Sequence, residues 1–262
     1  MTSSMHQIEL ANRFTQLHKA GEPLLLFNIW DAGSARACAA AGALAIATGS
    51  WSVAAAHGVD DGEVLPLALV LANLQRIVAS VALPVSLDLE SGYGSTPQQV
   101  GASVAQAIVA GAVGINLEDQ IAGTSTMYTT EQQCERIGAV RAVANEAALP
   151  LFINARTDFF LLADRSQHTP ALLATALERA EAYAKAGASG IFVPGLADAA
   201  LIETFCKSSP LPTNIMVSSR TPPFTQLAQF GVARISHGPG PFRVAMQALS
   251  EAARAAQAAL TG

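Results

Sequence analysis

The stretch "AGAVGINLED", residues 110–119, decides how this chain folds. An alanine-rich segment ends at Gly111, a short apolar run follows, and the run stops on two acids. Glycine at the end of a helix takes the left-handed cap that turns the chain back. The same device recurs in "AGALAIA" (41–47) and "AGASGIF" (186–192). On either side, strand-like runs appear at 24–29, 43–48, 83–89, 113–118, 149–155, 189–194, 213–218 and 232–237. Helical stretches such as 96–112 and 129–147 separate them; another opens the chain at 6–20 and one closes it after Phe242. Apolar runs alternating with amphipathic helices imply parallel strands joined by crossovers. Eight such units in about 250 residues point to an α/β fold of the (β/α)8 TIM-barrel type. A doubly wound open sheet is the alternative, but no dinucleotide glycine fingerprint accompanies it. No composition break marks a boundary, so residues 1–262 are read as one barrel domain with an N-terminal helix and a C-terminal helical segment.

Half the chain is hydrophobic (51%) and only 13% is charged, so a large core is available. The net charge of −5, without a Lys/Arg cluster, argues against nucleic acid as the partner. The apolar runs fall short of a bilayer span, and the N-terminus lacks a secretory pattern. Three scattered cysteines, Cys38, Cys134 and Cys206, suit reduced thiols in a cytoplasm.

In a barrel the active site lies at the C-terminal ends of the strands. Those ends are polar here: Thr48, Ser50 and Trp51 after strand two, Asp88 and Glu90 on strand three, Glu118 and Asp119 on strand four. Arg156 and Asp158 end strand five, Asn214 and Ser218 lie on strand seven, and His237 ends strand eight. Two residues apart on a strand, Asp88 and Glu90 are expected to share a face. Acids that close repel unless a cation or a proton lies between them. Asp88, Glu90 and Glu118 form an oxygen-rich set suited to Mg²⁺, or Mn²⁺, more than zinc. The plainer alternative is that they pair with Arg156 and cap the barrel.

Several motifs carry a family resemblance: "FNIWDAGSARACAAAGALAIATGSW", "GVDDGE", "LDLESGYG", "INLEDQ", "FINARTD", "ERAEAYAKAGASGIFVPG" and "FGVARIS". In this order they resemble the isocitrate lyase / phosphoenolpyruvate mutase superfamily, whose enzymes form or cleave C–C or P–C bonds beside the carbonyl of small 2-oxo acids. The resemblance implies a Mg²⁺ site organised by Asp88, with Glu90 and Glu118 holding metal-bound water. It also implies that Ser50 and nearby amides receive the substrate carboxylate, and that Asn214 matches the strand-seven asparagine. Asp61 matches the acid of the gating loop, where Asp60 replaces the usual proline. The Lys-Lys/Arg-Cys-Gly-His loop of the lyase branch is missing from 119–134, and so is the Asn-rich loop of the phosphonomutase branch. Cys134 falls in helical register and reads as a packing thiol.

A 2-oxo acid can chelate Mg²⁺, and cleavage leaves an enolate that the metal and Arg156 would stabilise. The glycines of Gly-Tyr-Gly are expected to clear space beside that charge. Without the lyase cysteine, decarboxylase, hydrolase or phosphonate chemistry leads, and a 2-methylisocitrate lyase-like activity follows. A barrel that only binds metal and carboxylate, and a metal-dependent pyruvate aldolase, complete the alternatives. His237 is a candidate proton donor or carboxylate ligand, Trp51 packs beside Ser50, and Asp31 reads as a helix N-cap. The expected partners are a small 2-oxo or 2-hydroxy carboxylate and copies of the chain itself. A homodimer or homotetramer would suit the alanine-rich C-terminal helix, which family members commonly exchange between neighbours.

Overall fold

The computed structural model describes residues 3–260, so the outermost residues of the expected 1–262 domain lie outside it. All eight expected strands form: β1 Leu24–Leu26, β2 Ile46–Ala47, β3 Val85–Asp88, β4 Gly114–Glu118, β5 Phe152–Arg156, β6 Gly190–Phe192, β7 Thr213–Met216 and β8 Arg234–Ser236. They run parallel in the ring order β1-β8-β7-β6-β5-β4-β3-β2. A parallel bridge between Ile29 and Thr48 joins the two ends, making a (β/α)8 TIM barrel.

Helices α1 Met5–Gln16, α2 Ala32–Ala40, α3 Ser50–Ala56, α4 Leu67–Ser80, α5 Pro97–Val109 and α6 Thr130–Glu146 accompany the first half. The second half carries α7 Phe159–Leu162, α8 Pro170–Ala186, α9 Ala199–Ser208, α10 Phe224–Gln229 and α11 Gly240–Ala258. Asp31 caps α2 in a capping box with Ser34, as its sequence context suggests. Gly42, Gly111 and Gly187 all take positive φ at the helix-to-strand turns. Between helices and sheet lies an apolar shell that includes Val104, Ile137, Val140 and Ile202.

The barrel interior is different in character. Alternation along each strand turns every second residue to the axis, and several of these are polar: Ser86, Asn116, Asn154, Asn214, Arg234 and Ser236 are all buried. The N-terminal end of the barrel is plugged by α1 and the turn after it, through Phe14 and His18. His18 stacks on Phe152 at 3.9 Å. On β4 the plug leaves no room for a side chain; a Cβ on Gly114 would fall 2.6 Å from the Phe14 ring. The opposite end stays open, and most of the candidate site residues gather there.

Candidate active site

The open end holds a cavity of about 270 Å³ lined by Asn28, Ser50, Trp51, Asp61, Asp88, Asn116, Arg156 and Ser236, among others. Its size suits a small molecule more than a drug-sized one.

Asp88 ends β3 and anchors the wall. Its Oδ2 accepts the Ser50 N–H at 3.0 Å, and its own N–H donates to Thr48 Oγ1 at 2.8 Å. Asp88 Oδ1 is buried with no hydrogen-bond partner. Thr48 is thus a backbone support for Asp88, and the Ser50 amide, expected to hold substrate, is already taken by Asp88.

Glu90 reaches the site by another route than the expected strand alternation. Strand β3 ends at Asp88, and Glu90 has φ 54°, in the left-handed region. The turn is held by α6: Arg136 donates to the carbonyls of Ser91 and Gly94, and its guanidinium lies 4.1 Å from the Tyr128 ring centre. Glu90 Oε2 accepts the N–H groups of Gly62 (2.8 Å) and Glu63 (2.6 Å), while Tyr93 Oη donates to Oε1 at 3.0 Å. Burial, then the nearby Asp61 charge, pushes the Glu90 carboxyl up to about 7. Glu63 returns the contact by accepting from Ser91 Oγ and the Tyr93 N–H, each at 2.7 Å. The segment bearing Asp61 is therefore fastened down over Glu90. The Asp61 side chain meets Ser50, and burial together with Asp88 raises its carboxyl above the ordinary range.

Gly92 and Gly94 do not clear space beside the cavity. A Cβ on Gly92 would lie 2.8 Å from Val100, and one on Gly94 2.5 Å from Gln99. They are needed because the turn presses against α5.

Arg156 ends β5 between two acids. Its Nε and Nη2 donate to the two oxygens of Asp158 at 2.6 and 2.8 Å, and Nη1 meets Glu118 Oε2 at 2.7 Å. Burial opposes its charge, but Glu118 and Asp158 outweigh that and keep the guanidinium protonated. Burial drives the Glu118 carboxyl well above its usual range, against the pull of Arg156. Behind them, Asp119 accepts the Asp158 N–H (3.1 Å), Arg179 Nη1 (2.9 Å) and Tyr183 Oη (2.8 Å). Helix α8 thereby fixes the β5 terminus.

Two expected site residues lie elsewhere. His237 follows the inward-facing Ser236, so alternation turns its ring outward. There its Nδ1 meets the Leu26 carbonyl (3.2 Å) and the ring packs on Phe27 and Phe224. Burial lowers its pKa, against the hydrogen bond to the Leu26 carbonyl. Asn214 is buried one layer below the cavity; its Oδ1 accepts from Ser236 Oγ at 3.1 Å, and Ser236 makes the contact with the cavity. Trp51 is at the mouth, edge-on to Phe242 at the start of α11, with Arg243 over its ring.

The site also contains residues beyond those expected from the sequence. Asn116 and Ser236 form part of the floor. Asn28 Oδ1 accepts the N–H groups of His237 and Gly238, both at 2.9 Å, and pins the β8 loop. An asparagine inside the apolar run "GINLE" was a usable signal. Nothing local marks Arg136.

Among the described residues, no three His, Cys, Asp or Glu side chains close into a metal cage. The arrangement still fits Mg²⁺, which keeps most of its waters and needs few protein oxygens. Asp88 offers a bare buried oxygen with Glu118 nearby, whereas both Glu90 oxygens already accept hydrogen bonds from the chain.

The family profile for phosphoenolpyruvate phosphomutase matches residues 14–257. The chain belongs to this family. A crystal structure from Burkholderia cenocepacia J2315, provisionally assigned as a phosphonomutase, is 50% identical and superposes with a TM-score of 0.93, covering 95% of this chain and 99% of that one. The 2-methylisocitrate lyase of Escherichia coli (strain K12) is 30% identical over 211 residues, 78% of this chain and 69% of the relative. A phosphonopyruvate hydrolase crystallised with oxalate and Mg²⁺ shares the fold at 23% identity, with a TM-score of 0.81 over 99% of this chain and 88% of that one. The chain is accordingly a member of the isocitrate lyase / phosphoenolpyruvate mutase superfamily of enzymes.

Proposed function

We propose that the protein is a Mg²⁺-dependent enzyme that forms or cleaves a C–C or P–C bond beside the carbonyl of a small 2-oxo or 2-hydroxy carboxylate. The observation that carries this reading is Asp88 Oδ1, a carboxylate oxygen buried without a partner at the cavity wall. A buried carboxylate oxygen without a partner is costly, and a cation is the natural relief. When bound, Mg²⁺ (or Mn²⁺) would supply Lewis-acid stabilisation of negative charge on the 2-oxo oxygen.

The chain's own residues divide the remaining work. In decarboxylation of a 3-carboxy-2-oxo acid, the bond to the departing carboxylate breaks and its electron pair moves into C2–C3. Charge collects on the 2-oxo oxygen, and the Arg156 guanidinium at the cavity wall favours that state. A proton must then reach C3. Asp61 lines the cavity with its carboxyl raised by burial and by Asp88, so it can carry that proton and recover it from water.

Decarboxylation, hydrolysis or P–C chemistry is favoured over lyase action of the 2-methylisocitrate type. Among the described residues no cysteine lines the cavity, and Cys134 lies within α6 with its thiol pushed up by burial. The test is pyruvate release from oxaloacetate, phosphonopyruvate and 2-methylisocitrate, with Mg²⁺ and with excess chelator. Chelator-sensitive release from either of the first two is expected. Metal and oxalate binding without turnover of any substrate would instead favour a barrel that only binds.

The oligomer expectation also gains support. Helix α11 leaves Val244 (67%) and Leu249 (62%) exposed, while Leu25, Phe27 and Leu44 line an open groove of about 850 Å³. We read this as helix exchange between copies. Light scattering should find a dimer or tetramer that Val244→Glu with Leu249→Glu dissociates; a monomeric native chain would refute it. No helix among the described residues is long and apolar enough to cross a membrane. Free Cys38, Cys134 and Cys206 suit the cytoplasm.

A further inference from the structure

Arg234 lies on β8 inside the barrel, 1% exposed, and none of the chemistry above uses it. Strands β8 and β4 are diametrically opposite in the ring, yet Arg234 Nη2 donates to Asn116 Oδ1 at 3.3 Å. The guanidinium therefore spans the barrel axis. Its Nε donates to Ser236 Oγ at 3.3 Å. Both acceptors belong to residues of the cavity floor.

Arginine has donors only, so the Asn116 atom facing it must be the amide oxygen. Asn154 Nδ2 donates to that same oxygen at 2.8 Å. With its oxygen engaged below, Asn116 has only its Nδ2 donors left for the cavity, and among the described residues these have no partner.

The charge is equally telling. Among the described residues Arg234 forms no ion pair, unlike Arg156 and Arg179, and its Nη1 is buried without a partner. Among the described residues, the acid whose charge bears on Arg234 is Asp88 at the cavity wall, and the two form no ion pair. His18 is held neutral, pushed down to about 3 by burial and by Arg234 itself. Burial pushes Arg234 down to about 9 against the pull of Asp88, so it is still charged at neutral pH. A fold does not keep an unpaired buried cation for stability.

The geometry points to Arg234 as a positioning residue for an anionic substrate. It locks the Asn116 amide with its nitrogen toward the cavity, where that nitrogen donates to a carboxylate or enolate oxygen. It also holds beneath the floor a positive charge whose counter-ion is the bound acid. This rests on the proposed reading of the site.

The test is calorimetric titration of the full chain with oxalate in the presence of Mg²⁺, alongside thermal melting. Arg234→Met should melt at or above the wild-type temperature, because an unpaired buried charge is gone, yet bind oxalate about tenfold more weakly or worse, the scale of a charge-assisted contact. A merely structural role would lower melting temperature and affinity together. Asn116→Ala, which keeps Arg234, should show a similar loss of affinity and decides the matter if Arg234→Met does not fold. Wild-type affinity in either folded variant overturns the assignment of Arg234. Failure of the wild-type protein to bind oxalate with Mg²⁺ removes the reading of the site itself, and this inference with it.

Discussion

Asp88→Ala should abolish metal-dependent turnover, by about a thousandfold or more, while leaving the barrel folded. Its Oδ1 is the bare buried oxygen of the site, and its Oδ2 is engaged by the Ser50 amide. Losing that hydrogen bond costs about 1–2 kcal/mol. The loss is offset in part, because Asp88 also crowds Asp61 and Glu90, raising both carboxyls. Circular dichroism should therefore match the parent protein, while calorimetry loses the Mg²⁺ signal and pyruvate release falls to background. An active Asp88→Ala protein indifferent to chelator would sink the metal assignment.

Arg156→Met should be more damaging to the fold. Three of its nitrogens hold carboxylates, Nη1 on Glu118 and the Nε/Nη2 fork on Asp158, and its side chain is only 15% exposed. Removing one partner of a buried pair leaves uncompensated charge and costs about 3–5 kcal/mol. The pH dependence has a definite sign. Glu118 is already raised by burial and loses the opposing pull of Arg156, so the folded variant binds a proton that the unfolded chain releases at lower pH. Stability then falls as pH rises through that window. The deficit relative to wild type should be larger at about pH 8 than at about pH 5.5 in denaturant titrations. Turnover should fall by about a hundredfold or more, through lost stabilisation of the enolate. Equal deficits at both pH values would show that Glu118 does not depend on Arg156 for its charge.

These two residues were legible in the sequence because each stands at a strand end next to an apolar run. So were the strands, the left-handed glycines at the helix ends and the Asp31 cap, since each depends on neighbours within a few residues. The roles within the site were less accessible. Glu90 was expected to follow Asp88 along one strand face. Instead it sits in a left-handed turn that Arg136 holds from α6, more than forty residues away. His237 was expected in the cavity, but the strand register that turns Ser236 inward turns its neighbour out.

Local sequence pattern is enough for the eightfold repeat of strand and helix, the polar end of the barrel, and the acids and arginine at its strand ends. Local hydrophobic period and helix-ending glycines suffice for that, because they act over one turn or one pleat. Long-range packing settles which acid keeps a bare oxygen, which is fastened under the Asp61 loop, and which is paired to Arg156. It also settles that Arg234 reaches Asn116 across the barrel axis. Those outcomes depend on ring closure, which brings opposite strands within hydrogen-bond distance, and on burial, which makes each unpartnered charge costly.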